Sequence, residues 1–229
     1  MGEVLRHAVV RRVTSRPVVA VLAVTGIVAG VLVGTSGLET VSGCGTASDY
    51  YPSQTAEDWV TYADHVVVAS PVREAETGRS DYTKGSVRYD DDRTVTFRTD
   101  HLLWSSRHPA HRMGDSFAMV APGWRVYRSG TRVKRTATDA PRLELGHTYL
   151  LALRWTDGRW TVLGEGASVP FDDHTGDQGE WCGRVLSKED VSRGERFSRK
   201  DDHSLEKALL GQNEAAVTRE LARAERKAG

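Results

Sequence analysis

From Pro17 to Gly37 the chain reads PVVAVLAVTGIVAGVLVGTSG, with no ionisable side chain and Val, Leu, Ala or Ile at most positions. An 18-residue helical core at about 1.5 Å per residue covers roughly 27 Å, close to the roughly 30 Å of a bilayer interior. It also exceeds the roughly 7–15 residues of a secretory hydrophobic region, so the pattern predicts a single transmembrane helix over 17–37. Arg6, Arg11, Arg12 and Arg16 precede it, which places residues 1–16 in the cytoplasm and everything after about residue 38 outside. Gly34, Ser36, Gly37 and Ser42 leave cleavage by a signal peptidase, and hence secretion, as the alternative. Gly26, Gly30 and Gly34 fall four residues apart and form a stripe without side chains through which two such helices could pack as a homodimer.

Downstream the pattern changes to period two. A Gly/Ser/Thr-rich linker over 38–54 leads to Thr55, which is placed to cap a short helix reaching about Tyr62, with Asp58 at its third position. The run Asp64–Val72 is β-branched up to Pro71 and reads as a strand buried on both faces or at a barrel turn. In Arg93–Trp104, Val95 and Phe97 alternate with polar residues, and Asp90-Asp91-Asp92 before them reads as a turn. Ser116–Ala121 continues the pattern, Pro122-Gly123 breaks it, and Trp124–Tyr127 resumes it. Leu143–Gly146 is a turn leading to the clearest local signal: Thr148–Trp155, then Asp157-Gly158, then Trp160–Leu163, a hairpin with Tyr149, Leu151, Leu153 and Trp155 on one face. Five or six strands over 63–171 predict a mainly β fold, a small Greek-key barrel, within a domain spanning 55–183. Residues 184–203 read as a charged linker. Over 204–229, Leu205, Ala208, Leu209, Ala216, Val217 and Leu221 make a narrow apolar stripe behind a Ser204 cap, predicting an amphipathic helix that docks on the barrel, pairs with a partner or stays in solvent.

The 229 residues carry 31 Lys+Arg and 31 Asp+Glu. Removing residues 1–16 (four Arg, one Glu) leaves 27 against 30, a net of −3 outside the membrane, which gives no general attraction for nucleic acid. Outside the cytoplasm the two cysteines, Cys44 and Cys182, are expected to form a disulfide. Closing so long a loop restricts the unfolded chain by nearly 5 kcal/mol in the entropy model.

Signs of catalysis are sparse. His101, His108 and His111 with Asp115 could surround zinc, although their spacing fits no metal motif. Asp172, Asp173 and Asp177 offer oxygens for calcium without the alternation of an EF-hand. The sequence has no G-x-S-x-G elbow, H-E-x-x-H, phosphate-binding loop or dinucleotide fingerprint. Among the six tryptophans, Trp59, Trp155 and Trp160 lie in patterns of core rather than of sugar-stacking platforms. No cofactor is expected.

The order "AEDWVTYADHVVVASPV", a long strand ending in "HLLW", "VAPGW", then "LELGHTYLLAL…W" resembles the OB-fold type of exported bacterial domain, similar to netrin-like modules and tissue inhibitors of metalloproteases, over about residues 55–171. Arg in excess of Lys, with a single Ile27 and a single Asn213, also resembles actinobacterial membrane-anchored proteins from GC-rich genomes. Val41-Ser42-Gly43-Cys44 resembles a lipobox, which implies a lipoprotein acylated at Cys44. The barrel resemblance implies a non-catalytic, membrane-tethered module that binds an envelope protein or cell-wall component through loops or a sheet face. The alternatives are an exported hydrolase or metalloprotein using the His101–Asp115 loop, and a protease inhibitor; the inhibitors' zinc-chelating Cys-x-Cys start is replaced here by Cys44-Gly45-Thr46.

Overall fold

A strand as continuously apolar as Val66-Val67-Val68 needs cover on both faces, and the computed structural model supplies it. The structure describes residues 38–46, 50–199 and 204–228. The predicted membrane segment, with Gly26, Gly30 and Gly34, lies outside the described residues, and among the described residues no helix is long and apolar enough to cross a membrane. The strands are β1 (Gly43–Gly45), β2 (His65–Asp81), β3 (Val87–Ser105), β4 (Ser116–Tyr127), β5 (Arg132–Ala137), β6 (Tyr149–Thr156), β7 (Arg159–Val162) and β8 (Ser168–Pro170), with a separate hairpin of β9 (Gly179–Trp181) and β10 (Arg184–Leu186). The helices are α1 (Ala56–Tyr62), α2 (Lys188–Ser192), α3 (Leu205–Ala208) and α4 (Glu214–Ala228).

The main sheet runs β1-β5-β4-β3-β2-β6-β7, with β8 also on β6. All neighbours are antiparallel except β1 on β5. The fold is mainly β, but the sheet is a curled half-barrel rather than the expected closed one: β7 swings round to lie against β4, yet no ladder joins them. Its hollow is filled by Val67, Val95, Phe97, Phe117, Met119, Tyr149, Leu151, Leu153 and Trp160. Its other face, carrying Val66, Val68, Leu150 and Ala152, packs on Trp59 of α1 and on Val217 and Leu221 of α4. Strand β6 is therefore buried on both sides, as its unbroken Tyr149–Leu153 run requires.

Local chemistry explains the ends of several elements. The Thr55 hydroxyl accepts from Asp58 N at 3.1 Å and the Asp58 carboxylate accepts from Thr55 N at 2.8 Å, closing a capping box on α1. The β6–β7 hairpin turns at Asp157 and Gly158, both at positive φ (53° and 75°), the two-residue geometry that Asp-Gly favours.

Other expectations need correction. The three aspartates form no turn: they lie inside β3, and Asp90 and Asp91 are buried. Asp90 is tolerated there because it is gripped by Arg125 of β4 at 2.9 Å and approached by Arg135 of β5 at 3.5 Å. Strand β2 runs on through Pro71 as far as Asp81, absorbing the proline at a register shift between Pro71 and Arg73.

The 38–54 segment is more than a linker. Val41 is fully buried, β1 extends the sheet, and Cys44 is bonded to Cys182 with the Cα atoms 5.4 Å apart. That bond commits the sulfur that lipidation at Cys44 would need. Residues 184–199, read as linker, contain β10 and α2, and Phe197 stacks on Trp181. The amphipathic C-terminal segment docks on the sheet, but as two helices. Ser204 caps only α3, and Gly211 at φ 71° turns the chain before α4.

Candidate functional site

The site begins with a bulge. Asp91 pairs with Trp124 and Asp92 with Pro122, so Gly123 has no partner on β3. A Cβ at Gly123 would stand 2.8 Å from the Asp91 carbonyl, which leaves glycine as the residue that fits. The sequence break at Pro122-Gly123 is thus a kink within β4. It turns two carbonyls away from the ladder, and buried guanidinium groups collect them.

Arg142 donates to Gly123 O at 2.5 Å, Arg135 O at 2.6 Å and Pro122 O at 3.2 Å, and it pairs with Glu144. Arg93 donates to Pro122 O at 3.1 Å and Leu143 O at 2.7 Å, and it pairs with Glu74. Both arginines are about as buried as the apolar core, at 2% and 1% exposure. Burial, reinforced by Arg93, pulls the Arg142 pKa down. Burial alone would raise Glu144, but Arg142, Arg93 and Lys134 outweigh it and hold the carboxyl below its ordinary value. Tyr149 completes the cluster by donating to Arg142 O and accepting from Glu144 N, both at 2.8 Å; its burial raises the phenol pKa.

Above this cluster the seam between β4 and β7 opens into a groove of about 250 Å³. Met119–Pro122 of β4 form one wall, Thr161 and Val162 of β7 the other, and Ala137, Ala140, Pro141 and Leu143 close the end. The surface is predominantly hydrocarbon, and the polar groups beneath it are committed to the chain's own carbonyls. Ser168 joins the lining. It is 3% exposed, and its hydroxyl has no hydrogen-bond partner among the described residues.

A second polar centre sits beside the disulfide. Glu180 is fully buried, accepts from Lys134 Nζ at 2.7 Å and from Glu39 N at 2.6 Å, and is raised in pKa chiefly by burial. It ties β5 and the first described residues to β9.

The expected metal residues are not brought together. His101 faces Glu214 at 3.6 Å, His108 is exposed, His111 stacks on Trp155 at 4.1 Å, and Asp115 is exposed. Asp172 is engaged by His147 at 3.0 Å and by Thr148 N at 2.8 Å, while Asp177 accepts from Gln178 N at 2.9 Å. Among the described residues no three His, Cys, Asp or Glu side chains are placed to share a metal ion. Trp59 and Trp160 lie in the core and Trp155 is half-buried beneath His111.

Sequence reasoning missed Arg93 and Arg142. For Arg93 a signal existed: it shares the parity of Val95 and Phe97 and so had to point inward with them. Arg142 sits in a short connection where no period applies. No known family model matches the chain, and no curated protein is similar to it.

Proposed function

We propose that the chain is a non-catalytic binding module, held outside the cell by the 17–37 segment, and that it recognises an envelope protein or a cell-wall component. The observation that carries this reading is the open groove at the β4–β7 seam, a concave apolar surface flanked by two strand edges. The half-barrel is read further as an OB-type barrel left open at one seam. Its support is the strand path: a β2-β3-β4 meander, a return in which β6 pairs with the far side of β2, and β7 brought back against β4. The outward placement is supported by the Cys44–Cys182 bond, whose half-buried cysteines would be reduced in a cytoplasm.

Cross-linking in intact cells tests the reading, with the full chain, tagged after Gly229, as bait. One specific envelope protein or wall fragment, recovered reproducibly and competed by untagged protein, is expected. Recovery of nothing beyond a control tag, or stoichiometric zinc in the purified full chain, would overturn it.

A further inference from the structure

At its other end the β4–β7 seam closes on charge rather than hydrocarbon. His111 and Arg112 of the β3–β4 loop, Ser116 of β4 and Arg159 of β7 line a second cleft of about 350 Å³, within the roughly 300–1,000 Å³ of ligand sites. Three basic side chains line it and, among the described residues, no carboxylate does. Arg112 and Arg159 are exposed, and no carboxylate or carbonyl of the described residues holds either guanidinium. Arg125, Arg135 and Arg142, by contrast, are engaged by the chain's own acceptors. Of the acidic neighbours in sequence, Asp115 stays outside both clefts and Asp157 belongs to the adjoining one. On a chain whose net charge outside the membrane is −3, two free guanidinium groups on one cleft make a local attraction for an anion.

The loop that carries Arg112 is fixed on both sides of it. His65 Nε2 donates to His111 O and Ala110 N donates to the Asp64 carboxylate, each at 2.8 Å. The Thr99 hydroxyl donates to Gly114 O at 2.8 Å and Thr99 N to Asp115 O at 2.9 Å. Arg159 follows directly on the tight Asp157-Gly158 turn. The backbones bearing both cations are therefore in place before a ligand arrives, which spares part of the ordering cost. Rings flank the pair. The exposed His111 lies on Trp155 at 4.1 Å, and beyond Arg159, which lines the adjoining cleft as well, stands the 81%-exposed ring of Tyr50. A track of ring, two guanidinium forks and ring suits a chain of sugar units that bears carboxylates. We propose that this cleft binds an acidic polysaccharide, a uronate carboxylate seated between Arg112 and Arg159 and a neighbouring sugar against Tyr50; this rests on the binding-module reading and specifies its wall component.

The chain's methionines provide the assay. Met113, next to Arg112, is the reporter, and Met119, at the apolar end of the seam, is the reference. In the full-length protein, held in a non-ionic detergent and labelled with 13C at the methionine methyls, trigalacturonic acid titrated to about 10 mM at about 50 mM salt is expected to shift Met113 saturably. Met119 should stay in place, and raising the salt to about 0.5 M should weaken binding several-fold. Arg112→Gln and Arg159→Gln should each weaken it about fivefold, the upper end for an exposed ion pair, and together they should abolish the response. Arg73→Gln, at an exposed arginine of β2, should change nothing. The fully methyl-esterified trimer, inorganic phosphate and triglutamate should each bind at least about fivefold more weakly than the trimer acid.

An unmoved Met113, an undiminished response in the double arginine variant, or equal binding of the neutral ester would overturn the proposal. Equal binding of inorganic phosphate would overturn it as an adventitious ion only, and equal binding of triglutamate would overturn it in favour of an acidic peptide. The two readings fail separately. If cross-linking in cells captures an envelope protein while trigalacturonic acid leaves Met113 unmoved, the polysaccharide assignment falls and the binding module stands; if cross-linking captures nothing, the module reading falls whatever Met113 does.

Discussion

Replacing Arg142 with alanine tests whether the buried arginine cluster organises the kinked half of β4. The substitution deprives Gly123 O and Arg135 O of their donor, while Pro122 O keeps Arg93 at 3.1 Å and Glu144 keeps Lys134 at 3.7 Å. Two orphaned carbonyls at about 1–1.5 kcal/mol each, plus a weakened buried ion pair, come to about 4 kcal/mol, within the about 3–5 kcal/mol seen when one partner of such a pair is removed. With a urea slope near 2 kcal/mol/M, the unfolding midpoint should fall by about 2 M. Arg142→Lys keeps a charge, but its shorter side chain ends in one nitrogen and cannot hold Glu144 and the carbonyls from the separate Nε and Nη1 that arginine uses, so it should lose about half as much. Arg142→Met combined with Glu144→Gln removes both charges and should recover part of the loss. As a control, Arg79→Ala, on the exposed Arg79–Asp81 pair, should shift the midpoint by less than about 0.3 M. A shift below about 0.5 M for Arg142→Ala would refute the reasoning, because the guanidinium would then be replaceable at its carbonyls.

Two further outcomes follow from the same structure. Cys44→Ser with Cys182→Ser, which opens a 138-residue separation, should lower stability by up to about 5 kcal/mol, and reductant should give the wild-type chain the same loss; equal urea midpoints with and without reductant would contradict this. His147 is held above its ordinary pKa first by its hydrogen bond to Asp172, against the opposing effect of burial. Its contribution is therefore complete below about pH 6.5 and is lost as pH rises through the higher folded-state value. Asp172→Asn should flatten that part of the stability–pH curve, and an unchanged slope would rule the pair out as its source.

What could be read from the sequence was whatever is decided locally. The Thr55–Asp58 box, the Asp157-Gly158 hairpin and the shared face of Tyr149, Leu151 and Leu153 depend on neighbours a few residues apart, and each is found in the structure. The disulfide followed from the parity of two cysteines. Asp90-Asp91-Asp92 was misread because the cations that make it tolerable in a strand, Arg125 and Arg135, come from other strands, Arg125 being 35 residues from Asp90. Pro122-Gly123 looked like a break because a bulge and a turn use the same residues. The groove was illegible for a related reason: its walls come from β4, β7 and the 137–143 connection. It exists only because two strands that come close do not pair.

The proposed placement outside the membrane is tested most directly by protease access to a tag fused after Gly229. Intact cells treated with external protease should lose the tag while a cytoplasmic marker survives. A tag that stays whole until the cells are lysed would put the barrel, its disulfide and its partner on the wrong side of the bilayer and contradict the account.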